Sequence, residues 1–154
     1  MARYASETSV STDASRSEIE RTLARYGADM FAYMSEAGRA VVAFRIGGRQ
    51  IRFILPLPSR ASREFTHNSR GVRTEEVALK AWEQACRQRW RGLSLVIKAK
   101  LEAVAAGITT IEDEFLAQTV LPDGSTVGDW ARPQLKEAYE LGHMPSALML
   151  EGPK

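Results

Sequence analysis

Few side chains in this chain of 154 residues could perform chemistry, and their spacing decides what each could do. Cysteine occurs once, at Cys86, and histidine twice, at His67 and His143. A zinc-type site needs His, Cys and carboxylate ligands that converge. These three are scattered, with no second ligand at a recognised spacing, so neither a metal nor a cofactor is expected. Cys86 falls among apolar residues at helical spacing, where a cysteine usually packs as a small hydrophobe. Arg87 beside it would favour the thiolate, but a nucleophile also needs access and a base. Glu112-Asp113-Glu114 suggests a magnesium-dependent nuclease. Consecutive helical residues point in different directions, however, and acids in a first turn answer the helix dipole. Gly47-Gly48 and Pro122-Asp123-Gly124 read as turns, and no phosphate loop or dinucleotide fingerprint occurs. No catalytic residue is assigned.

Arginine is the remaining candidate. It supplies sixteen of the 21 basic side chains, and its planar fork suits phosphate and stacks on bases. The net charge of +2 conceals an uneven distribution: residues 1–36 sum to −2, residues 37–106 to +9, and residues 107–154 to −5. Between positions 39 and 73 eight arginines face a single acid, Glu64. Such a middle segment suits a polyanion, or an acidic segment of the same or another chain.

The elements that must position these arginines follow from periodicity. Ser15-Arg16-Ser17-Glu18 reads as a capping box, followed by Ile19, Leu23 and Tyr26 at helical spacing and by Gly27 as a stop. Residues 1–12 fit a short edge strand or an arm. Three strand-like runs follow, at 29–35, 39–46 and 49–55. Gly47-Gly48 is a two-residue hairpin loop that tolerates positive φ. Pairing outward from it puts Ile46 opposite Arg49, Phe44 opposite Ile51 and Val42 opposite Phe53 on an apolar face. The other face pairs Arg45 with Gln50, Ala43 with Arg52 and Val41 with Ile54. Residues 61–73 lack periodicity and read as a basic loop.

Thr74 caps a long helix that runs to about Ala106, with Gly107 beyond it. Leu79, Trp82, Cys86, Trp90, Leu93, Ile97, Leu101 and Val104 form its apolar stripe. Beside it lies a small-residue strip of Ala78, Ala81, Ala85, Gly92, Val96 and Ala99. Opposite these apolar strips, Lys80, Arg87, Arg91, Ser94 and Lys98 fall within a sector of about 60° on the wet face. Trp82 and Trp90 belong to the core, which leaves Tyr33, Phe65 and His67 to stack on bases. Thr109-Thr110-Ile111-Glu112 reads as a capping box opening a helix through about Val120. A further helix spans 126–141, starting afresh near Pro133 because proline breaks a helix interior.

Composition fits one soluble domain, and no apolar run approaches the roughly 20 residues that span a bilayer. The first residues lack a signal peptide's apolar region, and one cysteine cannot form an internal disulfide, so a cytoplasmic location is expected.

The stretch AWEQACRQRWRGLSLVIKAKLEAVAAGITTIEDEFLAQTVLPDGSTVGDW, with YASETSV, SRSEIERTLARYGA and GRQIRFILPLP before it, resembles a family of small bacteriophage and prophage proteins. That family carries no assigned catalytic or binding residues, so none is transferred. The resemblance implies a phage or mobile-element protein acting in a bacterial cytoplasm. The order of elements is also similar to phage single-strand annealing proteins, which bind DNA between a hairpin and a helix, usually as rings.

The expected fold is therefore α+β: a three-stranded antiparallel meander against a long helix, with an N-terminal helix and a C-terminal pair of short helices. Residues 1–145 would form one domain, its basic part at 28–106 and an acidic helical part at 107–145, followed by a flexible 146–154. The expected function is non-enzymatic binding of nucleic acid, single-stranded DNA above duplex, possible as a homo-oligomer. Arg45, Arg49 and Arg52 of the hairpin would share a groove with Arg87, Arg91 and Lys98 of the helix. The alternative is an interaction module, a host-factor or defence inhibitor or an assembly component, whose basic face meets an acidic partner.

Overall fold

The structure, a computed structural model, describes residues 10–145. Helix α1 (Thr12–Arg25) leads into strands β1 (Met30–Glu36), β2 (Arg39–Ile46) and β3 (Arg49–Pro56). A short helix α2 (Arg63–Thr66) and a two-residue ladder of β4 (His67–Asn68) with β5 (Gly71–Val72) precede the long helix α3 (Glu75–Ala105). Helices α4 (Ile111–Glu114) and α5 (Val127–Leu141) follow. The fold is thus α+β, with an antiparallel sheet in the order β1-β2-β3. Among the described residues no helix is long and apolar enough to cross a membrane.

The β2–β3 register is the one that the alternation of side chains requires: Phe44 opposes Ile51, Val42 opposes Phe53, and Arg45 opposes Gln50. A shift by one residue would turn Val42, Phe44, Ile51 and Phe53 out to water, so burial of one face sets the pairing. Gly47 and Gly48 both take positive φ in the turn, a conformation that costs a side-chain-bearing residue about 1–2 kcal/mol. The buried face joins Ile19 and Leu23 of α1 to Trp90, Leu93, Ile97 and Leu101 of α3 in one core. The other face carries Met30, Ala32, Met34, Val41, Ala43, Arg45, Arg52 and Ile54, and no helix among the described residues covers Met34 or Ile54.

Several sequence expectations shift. Helix α1 starts earlier than the expected box: Ser11 is its cap, accepting from Ala14 N at 3.1 Å, and Ser15 lies buried inside the helix. The basic loop contains α2, whose Phe65 is buried, so Phe65 is not available for stacking. Residue Thr110, not Thr109, caps α4, which ends at Glu114 well short of Val120. The cause is tertiary. Phe115 turns into the core, edge-on to Phe44 and Phe53 at 5.6 and 6.1 Å. Residues 118–120 then run along the free side of β3: Arg52 N donates to Gln118 O at 2.9 Å, and Val120 N to Gln50 O at 2.8 Å. Helix α5 is continuous through Pro133 rather than restarting there. Thr126 and Asp129 close a capping box that starts the helix a turn and a half earlier. Pro133 is on an exposed side, where water can satisfy the carbonyl that its missing N–H leaves free. Residues 1–9, with the expected edge strand, and residues 146–154 lie outside the described residues.

Candidate nucleic-acid interface

The six arginine and lysine side chains expected to form one groove are divided among separate surfaces. Strand alternation sends Arg45 and Arg52 to the open face of the sheet, whereas α3 packs beneath the opposite face. Arg45 is held by Asp29, its Nε donating to Oδ1 at 2.7 Å and its Nη2 to Oδ2 at 3.2 Å. This hydrogen-bonded pair lowers the Asp29 carboxyl below its ordinary range and raises the guanidinium. Arg52 is half-buried, and its Nε lacks a hydrogen-bond partner among the described residues. Arg49 shares the buried face's alternation and reaches past the turn to Glu112 of α4.

On α3 the expected wet column is partly an internal surface. Ser94 is buried, and Arg91 is bound to Glu18 of α1 with both side chains largely covered. Helix α1 packs against this flank of α3, which periodicity within one helix cannot reveal. Arg87 donates from Nε and Nη2 to Gln84 Oε1 at 3.0 and 2.6 Å. Lys98 is exposed and forms no ion pair among the described residues. A groove joining Arg45, Arg49 and Arg52 to Arg87, Arg91 and Lys98 therefore does not form.

The carboxylate triplet also disperses. Glu112 meets Arg49, Glu114 meets Lys100, and the Asp113 backbone N–H is taken by Thr110. No group of three or more His, Cys, Asp or Glu is placed to hold a metal among the described residues. Cys86 is half-buried, and burial, reinforced by Glu83, pushes its thiol up despite Arg87 and Arg89, so it rests protonated.

A different site emerges where sequence spacing gives no warning. A cleft of about 430 Å³ opens between the start of α1, the β1–β2 turn, Leu57-Pro58 and the first half of α3. Arg16, Glu36, Trp82, Cys86, Arg87 and Trp90 contribute to its walls. Trp82 is anchored by its Nε1 donating to Pro58 O at 2.8 Å, so its ring cannot swing freely. Arg16 lies over two rings, 4.6 Å from Tyr33 and 5.1 Å from Trp90, while its Nη2 pairs with Asp13 at 3.1 Å. The stripe residues Trp82 and Cys86 are thus only half core: sheet and α1 cover the second half of α3, and the first half is left to line this cleft.

From the cleft's rim the chain enters residues 59–73, which hold Arg60, Arg63, Arg70 and Arg73. The Arg60 guanidinium lies 6.0 Å from the Trp82 ring centre. Arg73 reaches the Phe65 carbonyl at 3.4 Å. None of these four arginines forms an ion pair among the described residues, and Arg60, Arg63 and Arg70 are exposed. Helix α2, seated on α3 through buried Phe65, gives this arm a fixed root. His67 is engaged locally, its Nδ1 2.7 Å from Thr66 Oγ1. The arm thus adjoins the aromatic cleft with four arginines that are not held by carboxylates among the described residues.

No protein-family model, curated protein or solved structure matches this chain. The site must be read from its own chemistry. The half-buried Trp82 face beside arginines that form no ion pair among the described residues can stack a planar ring and neutralise the phosphates attached to it.

Proposed function

We propose that the protein binds single-stranded nucleic acid without a catalytic centre, through the cleft and the arginine arm. The observation that carries this reading is the junction at Trp82, a wall of the cleft, where Arg60 lies 6.0 Å from the ring centre and opens an arm of four arginines that form no ion pair among the described residues. An unpaired base entering the cleft would lie against Trp82 and beside Arg16, with Arg60, Arg63, Arg70 and Arg73 along the adjoining phosphates. A duplex cannot present a base in this way without opening, so single strands are favoured. In keeping with the phage-family resemblance, the setting would be a bacterial cytoplasm.

Fluorescence anisotropy with labelled single-stranded and duplex oligonucleotides over a salt series tests the reading. Replacing all four arm arginines by alanine should reduce the steepness of log K against log salt by about 2.8, at about 0.7 per single-strand phosphate contact. Lys98→Ala should leave it unchanged. Absence of binding by micromolar protein at about 50 mM salt overturns the proposal, as does equal loss from the arm and Lys98 variants.

A further inference from the structure

Helix α5 is amphipathic, yet not one of its fifteen residues is buried. At 100° per residue Val127, Trp130, Ala131, Leu135, Ala138, Tyr139 and Leu141 share one half of its circumference. Trp130, Leu135 and Tyr139 are 55%, 56% and 87% exposed. A helix with such a stripe needs a partner. No helix or strand among the described residues packs extensively against it.

The same chain holds a second apolar surface that no helix covers among the described residues. On the open face of the sheet, Met34, Val41 and Ile54 form one row across the strands, and Ala32 and Ala43 continue the next row to Arg52. Met34 and Ile54 are 49% and 47% exposed. Small alanines in the middle and larger side chains beside them make a shallow seat for a helix. The lengths agree: fifteen helical residues extend about 22 Å, and strands of seven or eight residues extend about 23–26 Å. The charges agree as well. Of the arginines on the sheet face, Arg39 and Arg45 are paired with Glu36 and Asp29, and Arg52 has no carboxylate partner among the described residues. Glu137, exposed and in no ion pair among the described residues, borders the apolar half of α5.

We infer that α5 of one copy of this chain docks on the open sheet face of a second copy. Both surfaces are exposed within a single chain, so they do not cover each other there. Joining them completes a layered helix–sheet–helix arrangement in which each face of the sheet is covered. Exchanged reciprocally, the contact closes a two-fold dimer; repeated in one direction, it would make a ring or filament. This inference is independent of nucleic-acid binding, which uses the cleft and the arm.

Complementation between two full-length variants provides the test, read by light scattering on a sizing column at micromolar concentration. The helix variant is W130E/L135E/Y139E, and the sheet variant is M34E/I54E. Wild-type protein should have at least twice the 17.1 kDa chain mass, and each variant alone should have the single-chain mass. An equimolar mixture should regain a 1:1 complex, because one variant keeps the helix and the other keeps the seat. Thermal unfolding checks that each variant is folded, and alanine versions of the same positions replace any that is not. Single-chain wild-type protein overturns the inference, as does a sheet variant that still self-associates. So does a mixture that stays dissociated although both variants are folded.

Discussion

The ion pair between Arg91 and Glu18 offers the sharpest separation between a surface cation and a structural one. Both side chains are mostly covered, 24% and 29% exposed, at the contact of α1 with α3. Hydrogen bonds to charged groups contribute about 1.5–3 kcal/mol when well shielded, and exposed ion pairs about 0–1 kcal/mol. An intermediate value of about 1–2 kcal/mol is therefore expected for Arg91→Ala, because it leaves the Glu18 carboxylate partly desolvated without its partner. For a chain of this length that corresponds to a fall of roughly 2–8 °C in Tm. Glu18→Ala should cost a similar amount. The double variant should cost less than the sum, with a coupling of about 1 kcal/mol in a double-mutant cycle measured by urea unfolding. Affinity for a labelled oligonucleotide should not change in Arg91→Ala, since this guanidinium is engaged inside the fold. Additive stability losses would refute the structural role of the pair. A selective loss of oligonucleotide affinity, with stability unaltered, would instead return Arg91 to the binding surface.

Phe115→Ala removes a fully buried ring that stands edge-on to both Phe44 and Phe53, and a loss of about 3–5 kcal/mol is expected. Because Phe115 roots the segment that runs along β3, amide exchange at Arg52 and Val120 should rise even where the variant remains folded; unchanged protection there contradicts this role. The third expectation concerns pH. Asp129 accepts from the Thr126 backbone N–H, and this bond, with the Thr126 hydroxyl and Arg132 contributing, lowers its carboxyl below the ordinary range. The stabilisation is complete above the unfolded value of about 3.9 and disappears as pH falls through the lower folded value. Asp129→Ala should therefore reduce helix content at neutral pH, and its difference from wild type in circular dichroism should shrink in acid. A difference that is constant with pH would exclude the charged cap.

The sequence by itself determined those features that depend on near neighbours. Alternation through 39–55 and the Gly47-Gly48 turn specify the β2–β3 register, because only one register buries Val42, Phe44, Ile51 and Phe53 together. Thr74 and Gly107 bound α3 through local capping and positive φ. The dispersal of Glu112, Asp113 and Glu114 likewise followed from helical geometry. What only the tertiary structure decided is which side chains on a given face meet solvent. Arg91 and Ser94 share a polar sector of α3, but whether that sector is wet depends on α1, more than seventy positions earlier in the chain. The length of α4 depends on Phe115 finding Phe44 and Phe53, and no pattern within 109–120 encodes that attraction. Charge totals could not distinguish arginines held by Asp29, Glu112 and Glu18 from those on the arm, which form no ion pair among the described residues. The cleft between Trp82, Trp90 and Arg16 joins residues from distant segments, and long-range packing alone creates such a cavity.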